Sequence, residues 1–72
     1  MDTKIKAIIA VEEAAQGEIL ENFKIYINRP IAIGEHPGIT EEIRNFARKY
    51  SEHADVINGL KVMSERLKGW ME

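Results

Sequence analysis

Apolar residues recur at steps of three, four or seven through the second half of the chain. This spacing is typical of one face of a helix, and it continues from residue 39 to residue 71. The stripe consists of Ile39, Ile43, Phe46, Tyr50, Ile57, Leu60, Met63, Leu67 and Trp70. Its period of about 3.4 residues is nearer the heptad value than that of a straight helix, which predicts left-handed supercoiling. So long a helix in so short a chain predicts a partner, most simply a second copy.

The dipeptide Asn58-Gly59 offers an alternative to one long helix. Glycine costs about 1 kcal/mol in a helix interior, and Asn-Gly is a good helix stop, so the chain would turn there and form a short third helix. The stripe nevertheless passes through Ile57, Leu60 and Met63 without a skip. We therefore favour one helix over residues 39–71.

Residues 3–23 carry a second helical pattern, which has two faces. The larger side chains form one face, made of Ile5, Ile8, Ile9, Ile19, Leu20 and Phe23. Small residues form the other, made of Ala7, Ala10, Ala14 and Gly17. Small residues at this spacing let two helix backbones approach closely, so the two faces predict two neighbours, although alanine is also simply the best helix former. Alternating apolar residues at 4–11 also fit a strand, but the helix-compatible residues that follow favour a helix.

The segment 24–38 joins the two predicted helices. It is longer than the two to about eight residues that usually connect helices in bundles. Its apolar triplets, at 25–27 and 31–33, are strand-like, and Asn28, Arg29 and Pro30 between them have turn chemistry. An extended connection or a small β-hairpin follows from this pattern. Thr40 has the side chain of an N-cap for the second helix.

Three polar residues fall among the positions of the predicted core. Glu12 and Gln16 lie within the isoleucine face of the first helix, and His53 lies beside the apolar stripe of the second. In the simpler interpretation, each of these side chains is exposed to solvent or forms hydrogen bonds with groups close to it in the chain. The sharper hypothesis pairs His53 with Glu12 or Gln16 in one buried polar layer, which would fix register and make assembly sensitive to pH.

The connection also carries the residues best suited to bind an outside partner, because loops on rigid scaffolds often carry function. They are Tyr26, Arg29, Glu35 and His36. A carboxylate beside an imidazole suits acid–base chemistry, so a small enzyme using Glu35 and His36 at a subunit interface is one alternative. Neither a nearby serine or cysteine nucleophile nor a glycine-rich phosphate cradle accompanies them. We therefore predict no catalytic, metal-binding or cofactor-binding site.

The amino-acid composition excludes or disfavours several classes of function. The chain has 72 residues, no cysteine and a formal net charge of −2, which excludes disulfides, thiolate catalysis and cysteine-ligated zinc. Arg44, Arg48 and Lys49 are the nearest approach to a basic cluster, and three glutamates flank them. Nucleic-acid association through these three is an alternative that the interleaved charges disfavour. The longest apolar run, 7–11, is far shorter than a membrane span, and no signal-peptide pattern is present, so we expect a cytoplasmic protein.

One segment carries a family resemblance. The stretch from Pro30 to Ile39 contains the turn Ile33-Gly34-Glu35-His36-Pro37 and leads into the helix start Glu41-Glu42-Ile43. It resembles small uncharacterised proteins of tailed bacteriophages, in which a similar turn precedes a predicted helix. The resemblance implies an accessory protein of a phage or prophage, acting in the cytoplasm of a bacterial host, and it implies no activity or site residues.

Taken together, these patterns predict a mainly α protein. We expect a single domain over 1–72, a helical hairpin with a long extended or β-hairpin-like connection, assembling into a helical bundle or short coiled coil. The expected function is that of a non-enzymatic protein–protein interaction module, acting as a dimer or tetramer and contacting another protein, without cofactor, membrane or nucleic acid. The predicted oligomer interface comprises Ala7, Ala10, Ala14, Gly17, Ile43, Phe46, Tyr50, Ile57, Leu60, Met63, Leu67 and Trp70.

Overall fold

The computed structural model describes residues 2–29 and 38–69, which form two helices and their ends. Helix α1 spans Thr3–Ile27 and helix α2 spans Ile39–Arg66. At 1.5 Å per residue, the two helices are about 37 and 42 Å long. The predicted mainly α hairpin is confirmed, and neither described range contains a strand.

The two helices run antiparallel. Glu12 near the start of α1 contacts His53, whereas Phe23 near its end stacks on Phe46. Residues further along α1 thus meet residues earlier in α2, and the position numbers of contacting residues sum to 65–72. This register relates any position on α1 to the position at the same level of α2.

Helix α1 begins with a side-chain cap. The carboxylate of Asp2 accepts a hydrogen bond from the backbone N–H of Lys4 at 2.7 Å, and the Asp2 carbonyl accepts one from the N–H of Lys6 at 3.0 Å. The side-chain bond satisfies a donor that a helix start leaves without an intrahelical partner, and the carbonyl bond is the first bond of the helix itself. Positions 4–11 are helical throughout, so the strand alternative for them is wrong.

Helix α1 ends later than predicted. It continues through Lys24–Ile27, so the triplet at 25–27 is helical and is not the first arm of a β-hairpin. The reason is tertiary, because Phe23 and Tyr26, one helical turn apart, both pack against Phe46. Such packing overrides the strand preference of β-branched and aromatic residues. The second triplet, 31–33, lies outside the described residues.

Helix α2 is continuous through Asn58-Gly59, so the prediction of one long helix is confirmed as far as Arg66 and the turn alternative is wrong. Its N-cap is Gly38 rather than Thr40, and no side-chain hydrogen bond caps it. Two glutamates in its first turn, Glu41 and Glu42, lie where the helix dipole favours negative charge.

The hairpin has little interior. Ile9, Ile39 and Ile57 are the buried apolar residues among those described, and none of the described side chains is fully buried. The Cα trace is only 10 Å across in its thinnest direction, and the described residues form one layer of two helices. The layer has two broad faces, and the described residues leave both of them open to solvent.

Candidate interaction surfaces

The seam between the helices is aromatic at the end near the connection. The ring of Phe46 lies 5.3 Å from that of Phe23 and 5.6 Å from that of Tyr26, centroid to centroid. At the other end, the register places buried Ile57 at the level of buried Ile9. The apolar stripe of α2 therefore has a partner within its own chain.

This arrangement changes the interpretation of several residues predicted for the oligomer interface. Ile43, Phe46 and Tyr50 line a cavity together with residues of α1, Ile57 is buried, and Leu60 is half-buried. The expectation that the long helix lacks protein of its own to pack against is wrong for this part of the stripe.

The other residues predicted for the oligomer interface are exposed to solvent or lie outside the described residues. Met63 and Leu67 keep 55% and 47% of their surface exposed. The small-residue stripe of Ala7, Ala10, Ala14 and Gly17 is exposed too, on the side of α1 turned away from α2. Its role as an interface stays a prediction. Trp70 lies outside the described residues.

Successive residues of a helix are rotated by 100°, so a helical wheel assigns each position to a side of its helix. Positions that point neither toward the other helix nor directly away from it lie on one of the two broad faces of the layer. The first, the Leu20 face, contains Lys6, Glu13, Leu20, Ile27, Ala47, Ser51, Ala54 and Lys61. The second, the Val11 face, contains Ile8, Val11, Ala15, Glu18, Asn22, Arg29, Glu42, Asn45, Lys49, Val56, Leu60, Met63 and Leu67. Two cavities agree with this division, since Leu20 and Ala47 line one, whereas Asn22 and Glu42 line the other.

The Leu20 face has an open apolar groove near the connection. The groove has a volume of about 260 Å³. It is lined by Ile19, Leu20, Phe23, Ile43, Phe46, Ala47, Tyr50 and Ser51. Toward the far end of this face the side chains are charged, with Lys6, Glu13 and Lys61 on its surface.

The Val11 face has the opposite layout. Its apolar half is far from the connection and holds five exposed large side chains, here called the Val11 patch. The patch comprises Ile8 (47% exposed), Val11 (69%), Val56 (44%), Met63 (55%) and Leu67 (47%). The half near the connection is more polar, and its cavity of about 490 Å³ is bordered by Asn22, Arg29 and Glu42 together with Ile25, Tyr26 and Phe46.

The three residues of the hypothesised polar layer lie on the inner side of the hairpin. Nδ1 of His53 is hydrogen-bonded to Oε2 of Glu12, and the two side chains are 33% and 21% exposed. Because an ionised carboxylate can only accept, the imidazole N–H donates. Gln16 is half-buried one turn further along α1. The pair joins the two helices about one turn from buried Ile9 and Ile57, on the side toward the aromatic end of the seam.

The basic residues do not form one strip. Arg44 and Arg48 lie 3.9 and 4.0 Å from carboxylate oxygens of Glu41, and Arg48 also donates to Asn45. At 100° per residue these arginines lie on the outer side of α2, whereas Lys49 lies on the Val11 face. The nucleic-acid alternative, in which an oligomer gathers these three residues into one strip, stays a prediction.

Two of the four residues predicted for a binding loop are described: Tyr26 lies in the last turn of α1, and Arg29 follows the C-cap residue Asn28. Tyr26 is half-buried against Phe46, and the guanidinium of Arg29 lies 5.7 Å from the centroid of the Tyr26 ring. This is within the range of a cation–π contact. Glu35 and His36 lie outside the described residues, so the acid–base alternative has no geometry to support it.

Comparisons with protein-family models, with curated proteins and with solved structures find no match. The described helices include none that is long and apolar enough to cross a membrane. The candidate functional features described above are surfaces: the groove of the Leu20 face, the Val11 patch and the polar area beside it.

Sequence reasoning missed the Val11 patch, although a signal for it exists. Positions 4, 8, 11, 15, 18 and 22 of α1 repeat at alternating steps of four and three, as do 45, 49, 52, 56, 59 and 63 of α2. Both are heptad patterns. Their apolar members come together only when the two helices are aligned in the observed register.

Proposed function

We propose that this chain is a non-enzymatic protein–protein interaction module, such as an adaptor, inhibitor or assembly factor, that acts as a homo-oligomer. The observation that carries the proposal is the surface area of the chain. A mass of 8.2 kDa corresponds to about 4,500 Å² of accessible surface in a typical folded monomer. The hairpin exposes 5820 Å².

The excess of about 1,300 Å² is larger than the roughly 800 Å² that each partner contributes to an interface of standard size. Much of it is apolar, since nine large hydrophobic side chains of the described residues are 44–69% exposed. Removing apolar surface from water stabilises a protein by roughly 25 cal/mol per Å². A partner therefore supplies the stabilisation that a single helical layer lacks.

The large exposed apolar surface also favours a second copy of the chain over a different protein that binds only transiently. A hairpin with three buried apolar side chains among its described residues gains folding stability from whatever covers it. That stability is dependable only if the covering protein is present whenever the chain is made, and another copy of the chain meets this condition. Further proteins would then bind the surfaces that the oligomer leaves open.

The proposal predicts that thermal stability depends on protein concentration. For a dimer that unfolds to two chains, a hundredfold increase in concentration is expected to raise the unfolding midpoint by roughly 5–10 °C. Circular dichroism of the helical signal measures this midpoint across the concentration series. A midpoint that stays constant over the series would contradict the homo-oligomer.

A further inference from the structure

We infer that the second copy docks on the Val11 face, with a two-fold axis parallel to the helices, so that α1 of each copy lies over α2 of the other. The inference rests on the proposed function and names the surface and the geometry by which the module assembles. The result is a four-helix bundle in which both connections lie at the same end. Each helix is antiparallel to its neighbours, which is favourable for the helix dipoles.

The distribution of exposed apolar side chains selects the face. Of the nine large ones in the described residues, five form the Val11 patch, whereas two, Leu20 and Ile27, lie on the Leu20 face. Patches of contiguous apolar side chains on a small protein mark interaction sites. The Val11 face is therefore the surface that gains most from being covered.

The register selects the orientation of the second copy. A two-fold axis along the helices keeps every residue at its level and exchanges the helices, so Val11 of one copy meets Val56 of the second copy. By the same rule Ile8 comes opposite Gly59 of the second copy, next to Leu60, and the apolar half of one copy covers the apolar half of the other. An axis across the helices would reverse the levels. It would then place the Val11 patch on the polar half of the other copy whenever the faces overlap fully.

Charge complementarity supports the same orientation. Position numbers that sum to 67 bring Glu18 opposite Lys49 of the second copy, and Asn22 opposite Asn45 of the second copy. Arg29 comes within one turn of Glu42 of the second copy. Glu18, Lys49, Arg29 and Glu42 are all exposed in the single chain, and symmetry repeats every pairing. The polar half of the Val11 face is thus complementary to itself, which is a requirement of an isologous interface.

Charge reversal tests the inference, with sedimentation equilibrium at low ionic strength as the measurement. Glu18→Lys and Lys49→Glu are each expected to raise the dimer dissociation constant roughly five- to tenfold, because each turns two attractive pairs into repulsive ones. The combined variant restores attraction and is expected to return the constant to within about threefold of the original. The matched controls Glu13→Lys and Lys61→Glu make the same charge changes on the Leu20 face and should leave the constant unchanged.

A second pair of variants tests the apolar half. Val11→Asp is expected to weaken association roughly a hundredfold, because two carboxylates would have to be desolvated in each dimer. Val11 is 69% exposed, so the helicity of the single chain should be retained. Leu20→Asp is the matched control on the opposite face and should leave association intact.

The possible results separate this inference from the proposed function. Association that survives Val11→Asp but is lost with Leu20→Asp would overturn the inference in favour of the opposite face. A dissociation constant that is unchanged in every variant would overturn the inference in favour of another surface, such as the small-residue stripe. Both of these results would leave the homo-oligomer standing. A chain that is monomeric at all concentrations would overturn the inference and the proposed function together.

Discussion

Replacing Phe46 with alanine is expected to lower the free energy of unfolding by about 3 kcal/mol, the largest loss that we expect from a single truncation. Phe46 is the one ring of α2 that contacts rings of α1 within the described residues, and it touches both Phe23 and Tyr26. Without it the end of α1 loses the packing that keeps positions 24–27 helical. Urea unfolding followed by circular dichroism, at one fixed protein concentration, measures the change.

Two variants control for this result. Phe46→Leu keeps most of the buried volume and should cost less than half as much as the alanine variant. Val62→Ala truncates a side chain that is 45% exposed on the outer side of α2, and it should cost less than about 0.5 kcal/mol. A loss below about 1 kcal/mol for Phe46→Ala would show that the aromatic seam does not hold the two helices together.

Breaking the contact between Glu12 and His53 is expected to have the second largest effect. Glu12→Ala and His53→Ala should each lower the free energy of unfolding by about 1–2 kcal/mol, because each leaves a half-buried polar group without its partner. The loss is smaller than at a fully buried pair since the side chains are 21% and 33% exposed. Gln16→Ala, one turn away, is the control and should cost less than about 0.5 kcal/mol.

Replacing both residues together distinguishes a pair that stabilises the hairpin from a pair that only fixes the register of the two helices. Leucine at both positions removes two polar groups from the seam and adds apolar contact, so the double variant should be as stable as the original chain or more stable by about 1 kcal/mol. Urea unfolding of the two single leucine variants, Glu12→Leu and His53→Leu, and of the double leucine variant completes the cycle, and a coupling of at least about 1 kcal/mol is expected. Additive losses would mean that the contact does not join the helices energetically.

The elements predicted from the sequence are those that depend on local periodicity. The steps of three and four around Ile57, Leu60 and Met63 were enough to predict that α2 continues through Gly59. A turn at Gly59 would have broken this spacing of the apolar residues, and no break is present. The same periodicity put Glu12 and His53 at inward positions of their helices. The structure then brings them into contact.

What the sequence did not predict depends on how the helices are packed together. The end of α1 at Ile27 follows from the packing of Tyr26 on Phe46, a contact between residues twenty positions apart in the chain. The stripe of α2 does not identify which helix covers it. The structure shows that α1 of the same chain packs against Phe46, and contact of the stripe with a second chain stays a prediction. The Val11 patch combines side chains from both helices, and only their alignment shows that Val11 and Val56 share a face.

Sedimentation equilibrium of the unmodified chain over a wide concentration range tests the central claim most directly. The account predicts a mass that rises with concentration toward at least twice 8.2 kDa, as expected for a helical layer that is completed by a second copy. A mass that stays at 8.2 kDa up to the highest concentration would contradict the account.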